Sequence, residues 1–136
     1  MKVGFVASAF DLLHPGHLVM LEECRNNCDR LIVGLHTNPN KERPTSKESP
    51  VETTFERYIR LKSCKYVDEI IPYDTEMDLH NILALLKPEI RFLGTDYKEK
   101  RFTGDDLNIE IYWIARDHCF SSSSLRGRLR NSAGEK

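Results

Sequence analysis

The chain has 136 residues, 40% of them hydrophobic and 30% charged, the length and composition of one globular domain that can bury a core without disulfides. Lys and Arg number 20 against 21 Asp and Glu, so a net charge of −1 supplies no overall field to gather nucleic acid or a membrane surface. No apolar run approaches the roughly 18 residues that span a bilayer, and any bound anion must be held by locally placed groups.

The first apolar run, VGFVASAF (3–10), reads as a strand rather than a signal peptide. It flows into DLLHPGH with no small-residue cleavage site, and a cytoplasmic location is expected. A helix follows from near Gly16, with Leu18, Leu21, Cys24 and Cys28 on one face. Cys24 and Cys28 lie four apart in that pattern, and with Cys64 and Cys119 they read as reduced core thiols rather than a zinc knuckle. LIVGL (31–35) is the second strand. The polar segment 36–53 after it holds three prolines and lies inside the domain, a functional loop or lid. Phe55, Tyr58, Ile59, Leu61 and Cys64 mark a second helix, and DEIIPY (68–73) a third strand. Leu79, Ile82, Leu83, Leu85 and Leu86 mark a third helix that ends before Pro88. EIRFLG (89–94) and IEIYWIA (109–115) complete the strands, with Trp113 in the core. A last helix begins in the serine run and carries Leu125 and Leu129.

Short, nearly continuous apolar runs alternating with helices predict an α/β fold: a Rossmann-like, doubly wound parallel sheet of about five strands in a single domain. The domain is expected over 1–130, with 131–136 a frayed tail. Ligands of such sheets bind at the carboxyl ends of the strands, where the strand order reverses.

Two features stand at those ends. After the first strand, FDLLHPGH puts His14 and His17 at a helix mouth with Pro15 and Gly16 between them. Unpaired N–H groups and about half a positive charge make such a mouth a phosphate site, and imidazoles add donors where negative charge grows. After the last strand, RDHCFSSSSLR offers Arg116 and the hydroxyls of Ser121 to Ser124, and Arg126, Arg128 and Arg130 keep this stretch basic. Together they suit the two ends of a polyphosphate. His36, His80 and His118 read as surface or loop histidines.

FDLLHPGH with RDHCFSSSSLR resembles the nucleotidyltransferase superfamily, whose H-x-G-H and I-S-S-T-x-x-R motifs grip a nucleoside triphosphate. The short cytidylyltransferases are the nearest branch, those for glycerol 3-phosphate above all. CDRLIVGL, ER…YVDEIIP and FLGTDYKEK follow the family's order over nearly the whole chain. Class I aminoacyl-tRNA synthetases share the first motif, but this chain is too short for one and lacks K-M-S-K-S.

The resemblance implies that His14 and His17 stabilise the transition state at the α-phosphorus, and that Ser8, Ala9, Phe10, Asp11 and Gly16 form the nucleotide loop. It implies that Arg116 and Ser121, Ser122 and Ser123 hold the future pyrophosphate, and that Asp96 contacts nucleotide or substrate. Arg57 matches a family arginine that touches phosphate. Lys47 fits best as the lysine bridging the two substrates, with Lys41 and Arg43 as rivals. Ser8–Ala9 stands in place of the usual Gly-Thr or similar pair, so Ala9 offers phosphate no side-chain hydroxyl and keeps its backbone N–H.

The implied reaction joins CTP to a small phosphorylated alcohol, glycerol 3-phosphate favoured, and releases pyrophosphate. Mg²⁺ is expected on the nucleotide phosphates, with no protein metal ligand, and a homodimer is expected. The alternative is adenylyl transfer from ATP to a sugar phosphate, pantetheine phosphate or flavin mononucleotide. LKPEIRFLGTDYKE is also similar to the adenylyltransferase half of bacterial heptose-nucleotide synthases. A second alternative is a nucleotide-binding regulatory protein without turnover.

Overall fold

The computed structural model describes residues 1–41 and 49–115. Within them five strands alternate with three α-helices: β1 (Val3–Ser8), α1 (Pro15–Asn26), β2 (Arg30–His36), α2 (Thr54–Lys62), β3 (Glu69–Tyr73), α3 (Glu76–Leu86), β4 (Ile90–Gly94) and β5 (Glu110–Ile114). All strands are parallel, in the order β3-β2-β1-β4-β5. The expected doubly wound sheet is therefore present, and its strand order reverses between β1 and β4. The final helix and the tail 131–136 lie outside the described residues, as do Arg43 and Lys47.

Two cores flank the sheet. On one face Leu21, Cys24 and Leu61, from α1 and α2, pack on Val6, Leu31, Val33, Leu35 and Phe92. On the other, Leu79 and Leu83 of α3 meet Phe5, Ile32 and Tyr73. Burial on both sides is why β1, β2 and β4 read as nearly continuous apolar runs. Burial also pushes the Cys24 and Cys28 thiols above their usual values.

The helices depart from the expected faces. Leu18, Phe55, Ile59, Leu85 and Leu86 are exposed, and the inward residues of α2 are Arg57 and Leu61. Thr53 and Thr75 cap α2 and α3 through reciprocal boxes with Glu56 and Asp78. Lys87, in the left-handed region, ends α3 just before Pro88.

Glycine is required within β2. A Cβ on Gly34 would stand 2.7 Å from Phe5 Cζ and 3.2 Å from Ala7 Cβ and a Tyr73 ring carbon. Gly34→Ala is expected to destabilise the fold by about 1–3 kcal/mol through overpacking, read as a lower urea midpoint at unchanged slope.

Candidate active site

β1 runs beside β2 in register from Val3–Arg30 to Ser8–Leu35, but it pairs with β4 at Gly4–Ile90 and Phe5–Arg91 alone. The β1–β4 pairing ends there, and the carboxyl ends of these two strands flank the switch point, where ligands of such sheets bind. Ser8, exposed, ends one strand, and the His14–His17 turn follows it. Gly94 ends the other, and a 3-10 turn, Thr95–Tyr97, carries the exposed Asp96. Ser8, Ala9, His14, Gly16 and His17 thus lie at or after the carboxyl end of β1, and Asp96 lies after that of β4. Arg116, two residues past the end of β5, lies outside the described residues, as do His118 and Ser121 to Ser124.

His14 is the N-cap of α1, in extended conformation (φ −132°, ψ 175°). Its Nδ1 accepts the Gly16 N–H at 3.0 Å, and the His14 N–H donates to His17 Nδ1 at 3.3 Å. The two imidazoles therefore form a capping box usually built from Ser or Thr and Glu. This corrects the expectation of unpaired N–H groups at the helix mouth. Pro15 has none, and the rings take those of Gly16 and His14.

The caps also assign the tautomers. A Nδ1 that accepts carries no proton, so each neutral ring holds its proton on Nε2. A helix-end N–H donating into Nδ1 polarises the ring and strengthens Nε2–H as a donor. The ring centroids lie 4.0 Å apart, and Phe10 sits 5.6 Å from His17.

Three residues expected at the nucleotide or phosphate have the following partners in the structure. Arg57, expected at phosphate, is 1% exposed, and its guanidinium donates to the carbonyls of Glu52, Ala9, His36 and Thr37 at 3.2, 3.0, 2.7 and 2.5 Å, and to Thr54 Oγ1. It joins the exits of β1 and β2. Burial holds its pKa below the usual value, opposed by the nearby Asp11 and Glu52 carboxylates. Asp11, expected at the nucleotide, accepts the N–H groups of Val51 and Glu52 at 2.8 and 2.9 Å. The ring of Phe10 is buried in the core of the α1–α2 face.

Two further residues had no clear sequence signal. His36, expected at the surface, is 4% exposed, stacked 4.7 Å from Tyr73, with Nε2 3.2 Å from the Asp74 carbonyl. Glu52, 8% exposed, accepts the Leu12 N–H at 2.9 Å and binds Arg60. Only its place one residue before the T-x-x-E capping box of α2 could have drawn notice. Among the described residues no cluster of His, Cys, Asp and Glu is arranged to hold a metal ion, and no helix is long and apolar enough to cross a membrane.

Residues 5–128 match the family model described as cytidylyltransferase-like. Bifunctional protein HldE of Campylobacter jejuni (strain 81116) is 31% identical over 130 residues, which are 96% of this chain and 28% of that protein. HldE of Caulobacter sp. strain K31 is 36% identical over 107 residues, 79% of this chain and 22% of that one. The chain thus spans about a quarter of the length of these relatives. Among solved structures, a lipopolysaccharide core biosynthesis protein from Thermoplasma volcanium superposes with a TM-score of 0.66 at 24% identity, covering 85% of this chain and 95% of that one. A Thermus thermophilus pantothenate synthetase shares the fold at a TM-score of 0.59 and 18% identity, over 85% of this chain and 56% of that one.

Proposed function

The chain belongs to the cytidylyltransferase-like family of nucleotidyltransferases, and on that premise we propose that it transfers AMP from ATP to a small sugar phosphate, releasing pyrophosphate. The HldE relatives favour this reading over CTP with glycerol 3-phosphate. They agree with the likeness of LKPEIRFLGTDYKE to the adenylyltransferase half of heptose-nucleotide synthases. A match to about a quarter of a bifunctional protein fits one of two activities.

The observation that carries the chemistry is the mutually capped histidine pair at the switch point. An oxygen of the acceptor phosphate attacks the α-phosphorus in line, and the bond from that phosphorus to the bridging oxygen of pyrophosphate breaks. The attacking oxygen is already anionic, so no general base is needed. Catalysis reduces to placement and to stabilising charge at phosphorus, for which preset Nε2–H donors are suited. Ser8, Ala9, Gly16 and Asp96 complete the proposed nucleotide site. Lys47, Arg116 and Ser121 to Ser123 remain proposed contacts to acceptor and pyrophosphate. The carboxylates of this loop, Asp11 and Glu52, hold backbone N–H groups, so Mg²⁺ is proposed to arrive on phosphate oxygens and water. A domain over 1–130, a homodimer and a cytoplasmic setting belong to the same proposal.

Pyrophosphate release decides the reading, measured with ATP and CTP against sugar phosphates, glycerol 3-phosphate, pantetheine phosphate and flavin mononucleotide. Turnover is expected with ATP and a sugar phosphate. Faster release with CTP and glycerol 3-phosphate would restore the cytidylyl reading, and nucleotide binding without release under every pairing would favour a regulatory protein.

A further inference from the structure

The reaction proposed above makes no use of Glu52, a buried acid with a specific set of partners. Its Oε1 accepts the Leu12 N–H at 2.9 Å, and its Oε2 takes the Arg60 Nε–H. Its own N–H, with that of Val51, runs the other way to the Asp11 carboxylate at 2.9 and 2.8 Å. Residues 11–12 and 51–52, 40 positions apart, thus hold each other through reciprocal side-chain-to-backbone bonds.

The segment so held is strained. Phe10 and Leu12 both lie in the left-handed region, at φ +50° and +52°, which bulky side chains avoid. Such conformations persist where the surroundings over-determine them, and they concentrate where geometry serves chemistry. Two residues after Leu12 the chain enters α1 at His14, whose extended backbone lets Nδ1 reach the Gly16 N–H. Helix α1 does not itself set the direction from which the chain arrives at its cap. The Phe10–Leu12 turn sets it, and the Leu12 N–H of that turn is bound to Glu52.

We propose that Glu52 is a positioning residue whose carboxylate, by holding the Leu12 N–H, keeps this turn left-handed and so delivers His14 and His17 as a mutually capped pair. The kinetic consequence rests on the proposed reaction, and the structural one does not.

Three variants separate positioning from charge balance. Glu52→Gln keeps a carbonyl oxygen for Leu12 and gives up the charge shared with Arg60, while Glu52→Ala gives up both. Leu12→Gly, added to Glu52→Ala, removes the steric cost of a positive φ. Glu52→Ala is expected to lower kcat about tenfold or more, since small misplacements of reacting groups are costly. Its nucleotide KM should move less than about threefold, as for an interaction felt in the transition state. Glu52→Gln should stay near the parent, and Leu12→Gly should recover most of the loss. If Gln proves as damaging as Ala, and Leu12→Gly does not restore Glu52→Ala, Glu52 serves charge balance alone and the proposal fails.

A second readout needs no substrate. Long-range ¹H–¹⁵N spectra of the imidazoles should show His14 and His17 each as the Nε2–H tautomer in the parent, and mixed tautomers for at least one of them in Glu52→Ala. Identical ring spectra in parent and variant overturn the proposal whatever the turnover. Should the parent release no pyrophosphate with any acceptor, the proposed reaction fails, and the ring spectra still decide the role of Glu52.

Discussion

His14→Asn and His17→Gln are each expected to lower turnover by about a hundredfold or more, as the loss of one transition-state donor does in other enzymes. These replacements are chosen for what they keep. Asparagine is among the best N-caps, and its side-chain oxygen can accept the Gly16 N–H as the His14 Nδ1 does. Glutamine is a natural partner at the third helical position and can take the His14 N–H. Both therefore preserve the capping box while deleting a ring that carries a donor at its far nitrogen. Alanine at the same sites would mix two losses, since an absent cap costs about 1 kcal/mol of stability by itself. The check is kcat from pyrophosphate release beside the unfolding midpoint of each variant. Near-normal turnover in both would remove the pair from the chemistry, however well the helix is capped.

Arg57→Met is expected to cost about 3–5 kcal/mol of stability, the range for breaking one side of a buried charged network. Methionine fills much of the space and supplies no donor. The carbonyls of Ala9, His36, Thr37 and Glu52 would each lose the guanidinium, and the Asp11 and Glu52 carboxylates would lose the cation beside them. Arg57→Lys should recover little, because one ammonium cannot reproduce a planar fork that reaches two strand exits. Urea unfolding gives the answer directly. An arginine that touched phosphate would behave otherwise: its lysine variant would raise the nucleotide KM and leave the midpoint in place.

Arg57 also shows where sequence reasoning about this protein stops. The inner strands were legible because a parallel sheet covered on both faces needs nearly unbroken apolar runs, and VGFVASAF and LIVGL are such runs. The helices were legible as helices and less so as oriented objects. In α2, Phe55 and Ile59 are as apolar as Leu61, yet they face outward while an arginine faces in. The force that turns α2 this way is a set of carbonyls at two strand exits, which come together only once the sheet exists. His36 was misplaced for the same reason, since its burial depends on Tyr73 of a neighbouring strand.

The histidine pair was legible from H-P-G-H, a short motif whose parts act within one helical turn. What was not legible is that the rings themselves satisfy the helix end. Spacing shows that two side chains meet, and it does not show which nitrogen of each is spent. Glu52 was invisible for a related reason, because it acts on a backbone N–H 40 positions away, a partner that no side-chain pattern displays.

Under the proposed reaction, the Nε2–H tautomers carry a consequence for how the histidine pair would meet a polyanion. Donors without net charge release no counterions when they engage phosphate, and dissolved salt has little of their attraction to screen. Discrimination at this pair then falls to shape and to the direction of two N–H bonds. In that reaction a sulfate or a stray polyphosphate that happens to be highly charged would gain little there over a correctly seated α-phosphate.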